Sequence, residues 1–165
     1  LSSVTQINQK ILEISAEYKK ILFYGCSMGG FAAVLFGTLF PQSNKVVVAF
    51  NPQTNFDADF YLRYKTNTNT EPSYYINQEQ YIDPKNCQYI SLVNVLSNAA
   101  YPPAITTIVS ELNVEDMAHF KEIERFVSRK VFLKSNNHGV ALDLHSHGIY
   151  KHFIQGIILK LLVVM

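Results

Sequence analysis

Ser27 stands at the centre of Gly25-Cys26-Ser27-Met28-Gly29. An apolar run, Ile21 to Tyr24, leads into these residues, and Gly30, Phe31, Ala32 and Ala33 follow at helical spacing. A Gly-x-Ser-x-Gly run between a strand and a helix is the form of a sharp turn that holds a serine hydroxyl clear of the sheet. Strand and helix approach closely there, so side chains at Gly25 and Gly29 are expected to collide. The hydroxyl then meets the N-terminus of the helix, whose free N–H groups and partial positive charge suit a developing oxyanion. A Gly/Ser turn with no chemistry can carry the same five letters; the flanking strand and helix favour the reactive reading.

A serine needs a base to take its proton, and the base needs a group to orient it. In a parallel α/β sheet such groups gather where strands end at their carboxyl termini. His138, in the loop Ser135-Asn136-Asn137-His138-Gly139 after the last strand, is the candidate base. His119 lies one turn into a helix, and His145, His147 and His152 lie on helices where solvated or dipole-related roles are expected. The acid should follow the strand before that. Glu111, Asn113 (a degraded position), Glu115 and Asp116 are the candidates. Asp116 is preferred and Glu111 is second, although Asp116 also reads as a helix N-cap.

The elements that must position these groups follow from hydrophobic period. Val4, Ile7, Ile11, Leu12, Ile14 and Tyr18 predict a first helix, with Ser3 as its cap. Ile21–Tyr24 is a strand, and Met28 to about Phe40 is a helix stopped by Pro41. Lys45–Phe50 is a β-branched run typical of a strand buried on both faces. Ala104–Leu112 predicts a strand, Asp116–Arg129 a helix, Lys130–Lys134 a short strand, and Val140–Ser146 and Ile149–Val164 two further helices. Between Gln53 and Asn86 the pattern gives way to Asn, Thr, Tyr, Asp and Pro, and Cys87–Asn98 reads as a helix or a mixed segment. Residues 53–98 are therefore taken as an insertion or lid within a single domain, residues 1–165. Strands alternating with helices imply an α/β fold with a mainly parallel sheet flanked by helices.

Composition sets the outer bounds. The 165 residues carry 48% hydrophobic and 16% charged side chains, which suits a packed core rather than a disordered chain. A net charge of +1 gives no electrostatic case for nucleic acid or an anionic membrane. Two cysteines, Cys26 and Cys87, are too few for a disulfide framework, and reduced thiols favour a cytoplasmic location. The N-terminus lacks the features of a signal peptide, and the apolar C-terminal stretch, interrupted by Gln155 and Lys160, is too short to span a bilayer.

The order Ser27, acid, His138 and the elbow itself resemble the α/β-hydrolase superfamily. The branch that looks most similar is that of bacterial serine esterases and acyltransferases associated with surface polysaccharides. Asp116-x-x-His119, and His138-x-Val140-Ala141-x-x-Leu144 followed by Gly148, carry that finer resemblance. The resemblance implies that Ser27 attacks an ester or thioester carbonyl, that His138 relays the proton, that the acid orients His138 and that the Met28 N–H is one oxyanion donor. It implies no cofactor and no metal, and a small-molecule or glycan ester as substrate. The second oxyanion donor of such proteins comes from a loop that precedes the helix before the elbow. This sequence opens on that helix, so the resemblance implies that the N-terminal part of the fold is missing and that another segment or chain completes the sheet. A catalytically inactive binding or assembly module of the same fold is the alternative function.

Other chemistries fit less well. Cys26 precedes the apex and should point away from the site. Asp143, His145 and His147 do not converge at metal-ligand spacing without a further ligand. No Gly-Lys-Ser/Thr follows the glycines, which excludes a phosphate-binding loop of that kind. The rings Phe56, Phe60, Tyr61, Tyr64, Tyr74, Tyr75, Tyr81 and Tyr89 read first as lid packing and second as a surface for a sugar or acyl chain. Asp57, Asp59 and Arg63 are candidates for contacting a polar substrate.

Overall fold

A computed structural model describes residues 3–70 and 88–163. Tyr74, Tyr75, Tyr81 and Cys87 lie outside the described residues. The elements, in order, are α1 (Val4–Ser15), β1 (Ile21–Cys26), α2 (Met28–Leu39), β2 (Lys45–Phe50), α3 (Ala58–Thr68), α4 (Leu92–Ser97), β3 (Ala104–Ser110), α5 (Val114–Ile123), β4 (Arg129–Leu133), α6 (Val140–Ser146) and α7 (Tyr150–Val163). A 3-10 turn, Glu124–Phe126, ends the α5 segment earlier than its apolar period suggested.

The four strands form one parallel sheet in the order β1-β2-β3-β4. Each strand is joined to its neighbour by a helical crossover, as parallel pairing requires. The register brings the carboxyl ends together: Cys26 pairs with Phe50, Phe50 with Ile108, and Ser110 with Leu133. Every loop that follows a strand therefore opens on the same edge.

β2 is buried along its whole length, as its β-branched run implies. Val47 and Ala49 face one core, shared with Ala33, Val34 and Leu35 of α2, Leu92, Val95 and Leu96 of α4, and Ile123 of α5. Val48 and Phe50 face the other, with Ile108, Val140 and Leu144 of α6 and Ile157 of α7. Helices on both faces of a parallel sheet give a three-layer α/β unit.

Local chemistry explains the boundaries. Ser3 caps α1 by accepting the Gln6 N–H. The Lys45 ammonium, itself buried, donates to the carbonyls of Thr38 and Phe40 and closes the C-terminus of α2. Asp57 caps α3 through Phe60 N–H at 2.6 Å, and Arg63 pairs with Glu122 of α5 at 3.2 Å. These two candidate substrate contacts thus have structural partners. The insertion contributes α3 and α4. Its described rings pack inward: Phe60 and Tyr64 are buried, and Phe56 lies 4.9 Å from Phe31. Among the described residues no helix is long and apolar enough to cross a membrane.

Candidate active site

The turn at Ser27 has the shape that its glycines suggest. Ser27 adopts φ 55° and ψ −122°, a conformation that side-chain-bearing residues rarely take. It is held there from two sides: its N–H donates to Phe50 O at 2.9 Å, and its carbonyl accepts from Phe31 and Gln53. A Cβ on Gly25 would stand 2.0 Å from the Gly29 carbonyl oxygen, so glycine is obligatory at this position. The expectation for Gly29 is corrected. A Cβ there meets nothing within 4 Å, because Gly29 lies on the outer side of the first helical turn. The second close approach is at Gly30, where a Cβ would meet Pro52 Cα at 3.0 Å.

Three side chains converge, Ser27 from the turn after β1, Asp116 from the first turn of α5 and His138 from the loop after β4. His138 Nε2 lies 2.7 Å from Ser27 Oγ, and His138 Nδ1 lies 2.6 Å from Asp116 Oδ1. With Nδ1–H donated to the carboxylate, the Nε2 lone pair faces the serine hydroxyl and accepts its proton. Asp116 is 2% exposed, and its Oδ2 is buried without a hydrogen-bond partner among the described residues. The hydrogen bond to Asp116 raises the His138 pKa above its ordinary value against the opposing effect of burial. Burial raises that of Asp116, with the bond to His138 working the other way.

Asp116 is not the cap of its helix. Asn113 is, accepting the Asp116 N–H at 3.0 Å. This places Asp116 in the first turn with its side chain free to face the loop after β4. Glu111 is exposed beyond β3 and lines a groove of about 500 Å³ between α3 and α5, together with Arg63, Tyr64 and Lys121. It is not brought to His138.

The remaining histidines have other surroundings. His119 is buried at 5% exposure, stacks on Phe60 at 4.6 Å and accepts the Thr54 N–H on Nδ1 at 3.1 Å. Burial pushes its pKa down to about 4, so it is neutral with its proton on Nε2. His145, His147 and His152 are exposed. Asp143 braces the base loop, accepting Asn137 Nδ2 at 2.7 Å and Ser135 Oγ at 3.3 Å. Cys26 faces the opposite core beneath Tyr24, whose hydroxyl lies 3.7 Å from Sγ and also bonds Tyr150. Burial raises the Cys26 thiol pKa, the reverse of what a thiolate nucleophile needs.

Sequence reasoning passed over Asn51 and Ser110, which are buried and bonded to the His138 loop. Polar residues at strand ends were the available signal; a strand end marked by Asn-Pro reads equally as an ordinary stop.

The sheet order, the serine turn after β1 and the loops after β3 and β4 define an α/β-hydrolase-like fold. Solved structures that share it include the following two. A lipase-esterase related protein from Clostridium acetobutylicum is 19% identical with a TM-score of 0.55, over 92% of this chain and 73% of that one. A structure reported with carboxylesterases of the thaumarchaeon Nitrososphaera gargenis is 13% identical with a TM-score of 0.59, over 98% and 73%. The chain belongs to the uncharacterised protein family UPF0227, whose sequence profile matches residues 2–100. No curated protein sequence matches it.

Proposed function

We propose that this chain is a serine hydrolase of carboxylic esters, working through Ser27, His138 and Asp116 and an acyl-enzyme. One observation carries the reading: serine oxygen, imidazole and buried carboxylate form a continuous hydrogen-bonded line of 2.7 and 2.6 Å. In the first half-reaction Ser27 Oγ attacks the ester carbonyl carbon while its proton passes to His138 Nε2. Asp116 stays ionised and steadies the imidazolium. The tetrahedral intermediate collapses, the C–O bond to the alcohol breaks, and His138 returns the proton to the departing alkoxide. Water then gives a proton to His138 and attacks the acyl carbon; the C–Oγ bond breaks, the acid leaves and His138 returns the proton to Ser27 Oγ. An acceptor hydroxyl in place of water yields a new ester, the O-acyltransferase form of the same chemistry.

The Met28 N–H is the proposed oxyanion donor. As the first residue of α2 it has no carbonyl within the helix to reach, and the helix dipole adds to its pull on a negative oxygen. The reading extends to one domain over residues 1–165, with residues 53–98 as a lid and a glycan or small-molecule ester as substrate. It extends also to a further segment or chain that supplies a strand beside β1 and the second oxyanion donor. The position of β1 at one end of the described sheet supports this. The free thiol of Cys26 fits a cytoplasmic setting.

A fluorophosphonate probe tests the reading on the folded full-length protein. Labelling of the wild type but not of Ser27→Ala is the expected result. A folded protein that does not label would be an inactive module of the same fold, and the proposal would fall.

A further inference from the structure

Two buried residues outside the three just named are bonded to the loop that carries His138. Asn51 follows the last residue of β2 and is 1% exposed, with φ 38°. Its Oδ1 accepts the Ser110 N–H at 2.8 Å, and its Nδ2 donates to Ser110 Oγ at 2.9 Å and to the His138 carbonyl at 2.7 Å. The two backbone partners fix which way the amide faces, since an N–H needs the oxygen and a carbonyl needs the nitrogen. Ser110, the last residue of β3, is fully buried, and its Oγ donates to the Asn137 carbonyl at 2.6 Å. Proton directions are therefore set along the whole network, and every hydrogen-bonding group of the Asn51 amide and the Ser110 hydroxyl named here is engaged.

The same strand end also holds the serine. Phe50 O accepts the Ser27 N–H at 2.9 Å, and Asn51, the next residue, holds the His138 carbonyl. We propose that Asn51, assisted by Ser110, is a positioning residue that sets the separation of Ser27 and His138 from the end of β2. This deepens the hydrolase reading and rests on it for its kinetic consequences. The physical demand is strict. The imidazole bridges two partners 2.6 and 2.7 Å away, so a shift of its backbone by about 1 Å breaks one bond or the other, and misplacements of that size cost about 100-fold in rate. Consecutive carbonyls, Asn137 and His138, are gripped from the sheet side by Ser110 and Asn51, while Asp143 holds Asn137 from the outer side.

Asn51→Gly is the informative variant, because glycine keeps the left-handed backbone and removes the amide. Ser110→Ala removes the grip on Asn137 and the hydroxyl that accepts from the Asn51 amide, leaves the Asn51 bond to the His138 carbonyl, and carries the test if Asn51→Gly does not fold. Thr107→Val is the control: it deletes a buried hydroxyl of β3 that has no hydrogen-bond partner among the described residues. The assays are kcat and KM for a p-nitrophenyl ester, and an NMR titration of the His138 ring. The groups facing that ring are Asp116, Glu115 and His119 of α5 and the Ser27 hydroxyl.

Asn51→Gly is expected to lower kcat by about 10-fold to 100-fold with KM within about twofold, and to bring the His138 titration down toward its ordinary value as the Asp116 bond loosens. Ser110→Ala is expected to do the same more weakly, and Thr107→Val to do neither. A folded Asn51→Gly or Ser110→Ala protein with wild-type kcat and a wild-type His138 titration overturns the proposal. Should the wild type hydrolyse no ester, the hydrolase reading fails by itself, and the His138 titration still decides whether Asn51 and Ser110 position the ring.

Discussion

The carbonyl oxygen of Gly29 occupies the space that a side chain on Gly25 would need, 2.0 Å from its Cβ, whereas Gly29 itself faces open space. The two glycines of the serine turn therefore have opposite sensitivities. Gly25→Ala must push strand and helix apart beneath Ser27, at a cost of about 3 kcal/mol. Gly29→Ala adds a methyl to an exposed helical position and is expected to stabilise by about 0.5–1 kcal/mol. Urea unfolding of both variants checks this; equal losses at the two positions would contradict it.

In the proposed mechanism Asp116 sets the pH at which His138 works. The hydrogen bond raises the imidazole above its ordinary value of 6.5, and a base must be neutral to accept a proton. Esterase kcat/KM should therefore rise with pH through an inflection above 6.5. Asp116→Asn removes the negative partner, so the inflection falls and kcat drops by about 10⁴-fold. The linked stability has the opposite slope. A raised histidine pKa stabilises the fold below the unfolded value and loses that contribution as pH rises through the folded one. A pH–rate profile of wild type and Asp116→Asn reads the inflection and the fall in kcat, and urea midpoints across the same pH range read the linked stability.

Much of the fold follows from local pattern because period and burial coincide. The Lys45–Phe50 run is β-branched on both faces and is buried on both. Met28–Leu39 ends just before Pro41, and Val140–Ser146 was legible from its apolar spacing. The serine turn announces itself because its backbone demands glycine at a fixed offset. The choice of acid was harder. Glu111 and Asp116 differ in sequence by five positions along one loop and helix, and what separates them is the Asn113 cap, which rotates Asp116 inward. Asn51 and Ser110 were legible only as polar residues at strand ends. Their partners are backbone carbonyls 87 and 27 residues away, and no side-chain pattern records a bond to a distant carbonyl.

Lys45 supplies a different kind of end to α2. Its ammonium is buried and bonds the carbonyls of Thr38 and Phe40, with burial lowering its pKa. Lys45→Met keeps the apolar stem but leaves the last carbonyls of the helix without that donor. A loss of about 1–2 kcal/mol is expected, the range for a cation at a partly buried helix C-terminus. Thermal unfolding should show a lower midpoint whose difference from wild type changes little with salt, since a buried contact is poorly screened. A wild-type midpoint for Lys45→Met would remove the capping role.

His119 predicts an acid-side weakness of the fold that is separate from the chemistry at Ser27. The ring is buried between Phe60 and the Thr54 N–H, and its pKa is about 4 against an ordinary 6.5. Between these values the unfolded chain binds a proton that the folded chain refuses, so stability rises with pH across this window and is lost as pH falls toward 4. Each pKa unit corresponds to about 1.4 kcal/mol, which makes the contribution about 3 kcal/mol in all. The pH slope of the wild type sums over every ionisable group, so it does not by itself isolate His119. His119→Gln does, because its side-chain oxygen can still accept the Thr54 N–H while the group no longer titrates. Urea midpoints measured at pH 4.5 and pH 7 should draw closer together in His119→Gln than in wild type. An unchanged gap would mean that the ring is hydrated enough to protonate without unfolding the junction between α3 and α5.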